Sequence, residues 1–151
     1  MERNASSEDA DISAIREVMR QELSLAWSRD SDDADWDAFA GRFLPEAALF
    51  PAARPVVTQT LGAFIERMKR LRDQGTLESF KVTPLGCEVR VFGNVAVAFA
   101  ACELLENEST VNREVNATVL VRESGLWRIA AQAWDTETGA CRVPGNLAQR
   151  N

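Results

Sequence analysis

The stretch KVTPLGCEVRVFGNVAVAFAACELL, residues 81–105, decides the fold. Apolar residues recur at every second position on both sides of Gly93-Asn94, a dipeptide suited to the two-residue turn of a hairpin. The register set by that turn gathers one apolar row on a single face. We therefore predict two long antiparallel strands whose core-facing side is formed by Leu85, Cys87, Val89, Val91, Ala96, Ala98, Ala100, Cys102 and Leu104.

The last strand pair, which ends at Asp135, is predicted to be a second hairpin. Each strand has an apolar set at alternate positions, and the two sets share a face only if Val121 lies opposite Trp127. That register closes the hairpin with residues 123–125 and places Arg113 opposite Asp135. The opposite phase stays open, and it would turn a neutral hydrogen-bonding set inward: Asn116, Thr118, Gln132 and Trp134.

The first half of the chain is predicted to be helical. Apolar residues at helical spacing indicate a helix over residues 8–29 and a short helix within residues 35–45, before a strand at residues 47–50. A third helix begins near Thr60 and ends in a C-terminal cap at Gly75. Helices followed by antiparallel strands are typical of an α+β domain with the helices on one side of the sheet.

Length and composition limit the class of protein. A chain of 151 residues suits one domain, with a core over about residues 8–137 and a polar tail at residues 138–151. The net charge of −6 argues against nucleic acid and acidic membranes as partners. Three cysteines form no disulfide framework and the amino terminus does not resemble a signal peptide, so a cytoplasmic protein is expected.

The residue types that are missing exclude much chemistry. The chain has no histidine and no tyrosine, so any acid or base must be Asp, Glu, Lys or Cys. It also has no phosphate-binding glycine loop, and neither a cofactor nor a metal is expected. The acidic run at residues 30–37 fails as a calcium loop because Ala38 and Leu44 stand where Gly and Glu are needed. Capping of the second helix by Asp33 or Asp35 explains the run better.

Four stretches, taken in order, carry a family resemblance. They are LAWSRDSDDADWDAFAGRFLPEAALF at 25–50, TLGAFIERM at 60–68, GNVAVAFA at 93–100 and GLWRIAAQAWD at 125–135. Together they resemble the nuclear-transport-factor-two-like superfamily, in particular its bacterial SnoaL-like and steroid-isomerase-like branch. The resemblance covers about residues 8–137.

The resemblance implies a cone-shaped, cystatin-like fold, in which a bent antiparallel sheet packs on three N-terminal helices. It also implies a pocket between the concave sheet face and the helices, and commonly a homodimer formed through the sheets. Members of the superfamily include isomerases, dehydratases, cyclases, ligand binders and association modules, so the fold does not determine the activity. A close copy of the steroid-isomerase site is excluded because that site uses a tyrosine.

Asp135 and Arg113 are the predicted catalytic pair. An Asp can take a proton next to a carbonyl, but an Arg directly opposite favours the ionised carboxylate and weakens the base. A simple ion pair at the end of two strands is the alternative. The predicted ligand-binding set is Trp36, Phe39, Phe50, Phe64, Met68, Cys102, Asn116, Gln132 and Trp134. Aromatic residues at helical spacing are more often plain core, and Asn116, Gln132 and Trp134 could instead form a polar dimer surface on the outside.

The predicted function is the binding of a small, largely apolar organic ligand, without catalysis, because the chain lacks histidine and tyrosine. The first alternative is a cofactor-free lyase or isomerase in which Asp135 is the base. The second alternative is a homodimeric association module.

Overall fold

The computed structural model describes residues 5–149. Three helices and seven strands follow one another in this part of the chain. The helices are α1 (Ala5–Glu22), α2 (Trp36–Ala40) and α3 (Leu61–Asp73). The strands are β1 (Ala26–Trp27), β2 (Phe43–Phe50), β3 (Gln59–Thr60), β4 (Phe80–Phe92), β5 (Val95–Glu106), β6 (Thr110–Glu123) and β7 (Leu126–Thr136).

The seven strands form one curled sheet in the order β1-β4-β5-β6-β7-β2-β3. Every neighbouring pair is antiparallel except β2 and β7, which run parallel. The predicted α+β cone is confirmed. Apolar side chains from α1, α2 and the inner sheet face form the core, and Ile15, Phe43 and Ile129 are almost fully buried.

The first helix ends earlier than predicted, at Glu22 instead of residue 29. Trp27 belongs to β1, where its indole N–H donates to the carbonyl of Leu77 at 2.9 Å and its ring packs on Phe80. These long-range contacts stabilise Trp27 in a strand more than the helical spacing of apolar residues favours a longer helix. None of the described helices is long and apolar enough to cross a membrane.

The other N-terminal elements are close to their predicted positions. Asp35 caps α2, and its side chain accepts a hydrogen bond from the Ala38 N–H at 3.0 Å, as expected for this acidic run. The strand β2 is longer than predicted and begins at Phe43. Helix α3 has Thr60 as its N-cap, and Gly75 follows its last turn with φ +79°.

The first hairpin is confirmed. Phe92 pairs with Val95 across Gly93-Asn94, and Val89 lies opposite Ala98. On β5 the predicted inner side chains are buried, from Ala96 to Leu104. An irregularity between Pro84 and Cys87 displaces Leu85 from the regular pairing.

The predicted register of the second hairpin is wrong. Glu123 pairs with Leu126 across a two-residue turn, Ser124-Gly125, in which both residues have positive φ. Farther along, Leu120 pairs with Ile129 but Val119 pairs with Ala131, so Ala130 is an extra residue in β7. Trp127 and Ile129 are buried as predicted, but beyond this β-bulge Gln132 and Trp134 face inward instead of Ala131 and Ala133. The face that was kept as an alternative is the inner one: Asn116, Thr118 and Gln132 are buried.

The C-terminal tail docks on the bulge of β4. Leu147 is 1% exposed, and its carbonyl accepts a hydrogen bond from the Gly86 N–H at 2.8 Å. A Cβ at Gly86 would lie 2.8 Å from the carbonyl oxygen of Asn146 and 2.8 Å from the Cα of Leu147. Glycine at residue 86 therefore permits this close approach of two backbone segments.

Candidate functional site

A cavity of about 340 Å³ lies between the inner sheet face and the helices. The end of α1, one face of α3 and the loop after β2 enclose it opposite strands β4 to β7. Its lining is mostly apolar, with a few polar and acidic side chains. The lining residues are Glu22, Leu23, Leu25, Phe39, Pro51, Ala52, Ala53, Phe64, Arg67, Met68, Leu71, Leu77, Phe80, Val82, Cys102, Leu104, Glu106, Glu114, Asn116, Gln132 and Trp134.

Glu22, the last residue of α1, is a buried carboxyl in the cavity wall. It is 5% exposed, and its Oε2 has no hydrogen-bond partner among the described residues. Burial raises the pKa of Glu22 to about 8, and the charge of Glu114 adds to the rise. A hydrogen bond with Gln132 and the charge of Arg42 oppose it. The carboxyl is therefore mostly protonated near neutral pH and can donate a hydrogen bond.

Amide and hydroxyl groups surround this carboxyl. The Gln132 side chain on β7 donates to the Thr118 hydroxyl on β6 at 3.0 Å. Asn116, also on β6, points its Nδ2 at the Ala100 carbonyl at 3.5 Å and at the Cys102 sulfur at 3.7 Å. Because Thr118 lies opposite Gln132 in the sheet, their bond holds the amide beside Glu22. This part of the cavity is a small hydrogen-bonding patch in an apolar wall.

A second carboxyl, Glu114, lies two residues before Asn116 on the same inner face. Burial, together with the negative charges of Glu106 and Asp135, raises the pKa of Glu114 to about 7. Glu106 also lines the cavity, as does Arg67, which is exposed. This side of the cavity is therefore acidic, with a basic group at its solvent-exposed edge.

Aromatic rings form the wall on the helical side. The rings of Phe39 and Phe64 stack with centroids 5.9 Å apart, and Trp134 meets Phe64 edge-on at 5.8 Å. Met68 is buried beside them on α3. A flat apolar body of a ligand would find its contacts here.

The structure brings most of the predicted ligand-binding set together around this cavity, namely Phe39, Phe64, Met68, Cys102, Asn116, Gln132 and Trp134. Trp36 is instead a core residue, 7% exposed, that packs against Trp27 and Phe39. Phe50 pairs with Ala133 in the sheet and does not line the cavity. That these side chains bind a ligand stays a prediction.

The predicted catalytic pair does not form. Arg113 lies opposite Glu103, with its Nε 3.2 Å from the Glu103 carboxylate, and Asp135 lies opposite Val115. Asp135 is exposed and lines a groove on the outer face of the sheet with Phe99. The predicted register has a three-residue turn and no bulge, whereas the two-residue turn and the extra residue Ala130 each shift the pairing of β7.

The cavity carboxyls Glu22 and Glu114 were not predicted from the sequence. Glu22 lies three residues after Met19 and seven after Ile15, so it continues the apolar stripe of α1. Glu114 alternates with Asn116 on β6. An acid on an apolar helical stripe, opposite a strand with alternating polar residues, is the signal that could have identified both.

The comparisons with known proteins agree with this architecture. The sequence profile of the SnoaL-like domain matches residues 21–133. The chain belongs to the SnoaL-like family. No curated protein matches the chain.

Solved structures resemble the SnoaL-like chain in fold at low sequence identity. A protein described as a candidate scytalone dehydratase, from Novosphingobium aromaticivorans, is 13% identical with a TM-score of 0.67, and 97% of each chain is covered. LinA is 12% identical with a TM-score of 0.68, over 87% of this chain and 88% of LinA. A protein of unknown function from Pseudomonas putida is 14% identical with a TM-score of 0.62, over 93% and 95% of the two chains. At these identities the likeness shows the fold alone.

Proposed function

We propose that this SnoaL-like protein binds a small, largely apolar organic molecule in the cavity and that Glu22 exchanges a proton with an oxygen of that molecule. The observation that carries the proposal is the buried Glu22 carboxyl, whose Oε2 lacks a hydrogen-bond partner among residues 5–149. A buried polar atom without a partner costs free energy, and a carbonyl or hydroxyl oxygen of a ligand would supply the partner.

The chemistry follows from the protonation state of Glu22. With a pKa of about 8, the carboxyl holds its proton near neutral pH. Facing a carbonyl oxygen, it donates its proton to that oxygen while a solvent water molecule takes the proton of the neighbouring C–H bond, so that the ketone becomes an enol; the hydronium ion formed returns a proton to Glu22. Facing a hydroxyl group, it donates the proton with which that group leaves as water; a solvent water molecule takes the proton of the adjacent carbon as the double bond forms and returns a proton to Glu22. The first step belongs to an isomerase and the second to a dehydratase, which is the activity named for one structural relative.

Hydrogen exchange of a simple ketone tests the proposal without the natural substrate. Phenylacetone carries an aromatic ring and an activated methylene next to its carbonyl. We expect the protein to speed the exchange of these methylene protons in heavy water, followed by proton NMR. Glu22→Gln should lower this acceleration about 100-fold, the lower range for loss of a general acid.

Glu17→Gln is the matched control for this experiment, because Glu17 lies on the same helix with an exposed side chain that pairs with Arg20. It should leave the exchange rate unchanged. Quenching of tryptophan fluorescence reports binding in each variant, since Trp134 lines the cavity. Binding of phenylacetone without any accelerated exchange would contradict the proton transfer. Ligand binding without catalysis would then remain as the second candidate function, which the lack of histidine and tyrosine favours.

We also propose a homodimer formed through the outer face of the sheet. On that face Val97 lies opposite Val119, and Phe99 lies opposite Ala117. The exposed fractions are 52% for Val97, 43% for Val119 and 45% for Phe99, and these residues form a continuous apolar row on two adjacent strands. Contiguous apolar surface of this kind marks a protein interface, and a second copy of the chain would cover it.

Val97→Lys should therefore convert a dimer into a monomer. A charge at the centre of an apolar interface loses its solvation without gaining a partner, so the mass measured by light scattering should fall to half. Val56→Lys is the control, because Val56 is 55% exposed in the loop after β2 and lies outside the sheet. An unchanged mass for Val97→Lys, or a wild-type protein that is already monomeric, would contradict this interface.

The cytoplasm is the proposed site of action. Its support is that Cys87, Cys102 and Cys141 are all free thiols in the structure. Free thiols persist where the environment is reducing.

A further inference from the structure

We propose that the cavity accepts a small organic cation, a protonated amine on an apolar body, whose ammonium group lies against Glu114 and Glu106. The inference rests on the proposed ligand-binding function and adds the charge of the ligand to it. The expected ligand has a positively charged nitrogen and an aromatic or aliphatic remainder.

Most of the ionisable side chains that line the cavity are acidic. Glu22, Glu106 and Glu114 contribute carboxyls, and Arg67 is the basic side chain among the described lining residues. Arg67 is exposed and can turn its charge toward water, as long basic side chains do. The ion pairs found within residues 5–149 include none of these three carboxyls.

The other basic groups near the cavity are committed elsewhere. Arg113 pairs with Glu103 on the outer face of the sheet. Arg42 donates to the side chain of Gln21 and to the Ala38 carbonyl, although its charge reaches Glu22. Within residues 5–149 no ion pair neutralises Glu114, and the charged groups that act on it are the carboxylates Glu106 and Asp135. The potential at Glu114 is negative, which attracts a cation and repels an anion.

A second observation points to a ligand at this acidic wall. Glu22 lines the same cavity, is 5% exposed, and its Oε2 has no hydrogen-bond partner among the described residues. This oxygen can accept a hydrogen bond from a donor on the ligand, such as an N–H. The proton of the Glu22 carboxyl can equally be donated to an acceptor on the ligand.

The aromatic wall favours the same class of ligand. Phe39, Phe64 and Trp134 form a connected set of rings in the lining, and Phe80 contributes another from β4. A cation near the face of an aromatic ring is attracted by the ring quadrupole, and the apolar remainder is buried against the same rings.

Three probes that differ only in charge test the inference: phenethylamine, phenethyl alcohol and phenylacetate. Their dissociation constants are measured by titration calorimetry at neutral pH. We expect the amine to bind about tenfold more tightly than the alcohol, and phenylacetate more weakly than either. In Glu114→Gln the advantage of the amine over the alcohol should be lost.

Control variants keep the outcome decisive. Glu106→Gln removes the other proposed carboxylate and should reduce the advantage of the amine even if Glu114→Gln does not fold. Glu123→Gln, at an exposed residue beside the β6–β7 turn, should preserve it. Equal affinity for the amine and the alcohol would overturn the cation inference but support the ligand-binding function. An advantage that persists in both Glu114→Gln and Glu106→Gln would also overturn it. Binding of none of the three probes would contradict both proposals.

Discussion

Glu22→Gln should raise the free energy of unfolding by about 3 kcal/mol near pH 7, although it removes a candidate functional group. The unfolded chain releases the Glu22 proton above its ordinary pKa of 4.5, whereas burial holds the proton in the folded state up to a pKa of about 8. Between these two values, unfolding releases a proton, so rising pH favours the unfolded state. Glutamine has the same shape as glutamate but does not ionise, so the free energy of unfolding of the variant does not fall as the pH rises through this range.

Urea unfolding at several pH values measures this effect. The stability difference between wild type and Glu22→Gln should be near zero below pH 4.5 and should grow until the pH passes the folded-state pKa of about 8. Glu123 is exposed, so Glu123→Gln is the control. The free energy of unfolding of this variant should follow that of the wild type at every pH. Parallel curves for wild type and Glu22→Gln would show that the carboxyl is not held neutral in the fold. A stabilising substitution at a candidate catalytic residue is typical of sites kept for function at a cost in stability.

Gly86→Ala should destabilise the protein by about 3 kcal/mol, as much as Leu147→Ala, because each removes the docked tail. The new methyl group would occupy the space of the Asn146 carbonyl and the Leu147 backbone, neither of which can rotate away. The tail must leave, and Leu147 loses its buried site and its hydrogen bond to Gly86.

Unfolding of the single and double variants tests whether the two changes act through one contact. If Gly86→Ala already displaces the tail, adding Leu147→Ala should cost little more. Gly139→Ala is the control, since a Cβ there meets nothing within 4 Å. Two outcomes would show that the bulge of β4 can move to accept the methyl group. One is a double variant whose loss in free energy of unfolding equals the sum of the two single losses. The other is a Gly86→Ala tail that resists proteolysis as well as the wild-type tail.

The fold could be predicted where the deciding interactions are local. Gly93-Asn94 specifies its turn through backbone conformation, and alternation along β5 specifies the buried face. The N-cap at Thr60 and the glycine after α3 also act within a few residues of the chain. The end of α1 could not be predicted, because the burial of Trp27 depends on Phe80, which is distant in sequence.

The site was only partly predictable for a similar reason. Ser124 adopts a positive φ that a serine seldom takes, so the sequence favoured a longer turn with glycine alone in that conformation. The extra residue Ala130 has no marker in the sequence, since alanine suits a regular strand as well as a bulge. Leu147 is an apolar residue in a largely polar tail, so the sequence does not predict its burial. The burial depends on the close approach of the tail backbone to Gly86, where there is no side chain.

The bulge at Ala130 also bears on how a cavity of this kind can change over evolution. Substitutions at Gln132 or Trp134 alter the wall one side chain at a time. Loss or gain of a single codon at residue 130 would instead exchange the inner and outer side chains of β7 beyond that residue in one event. Two chains could then keep the same strands and the same order in the sheet, yet present unrelated chemistry to whatever enters the cone.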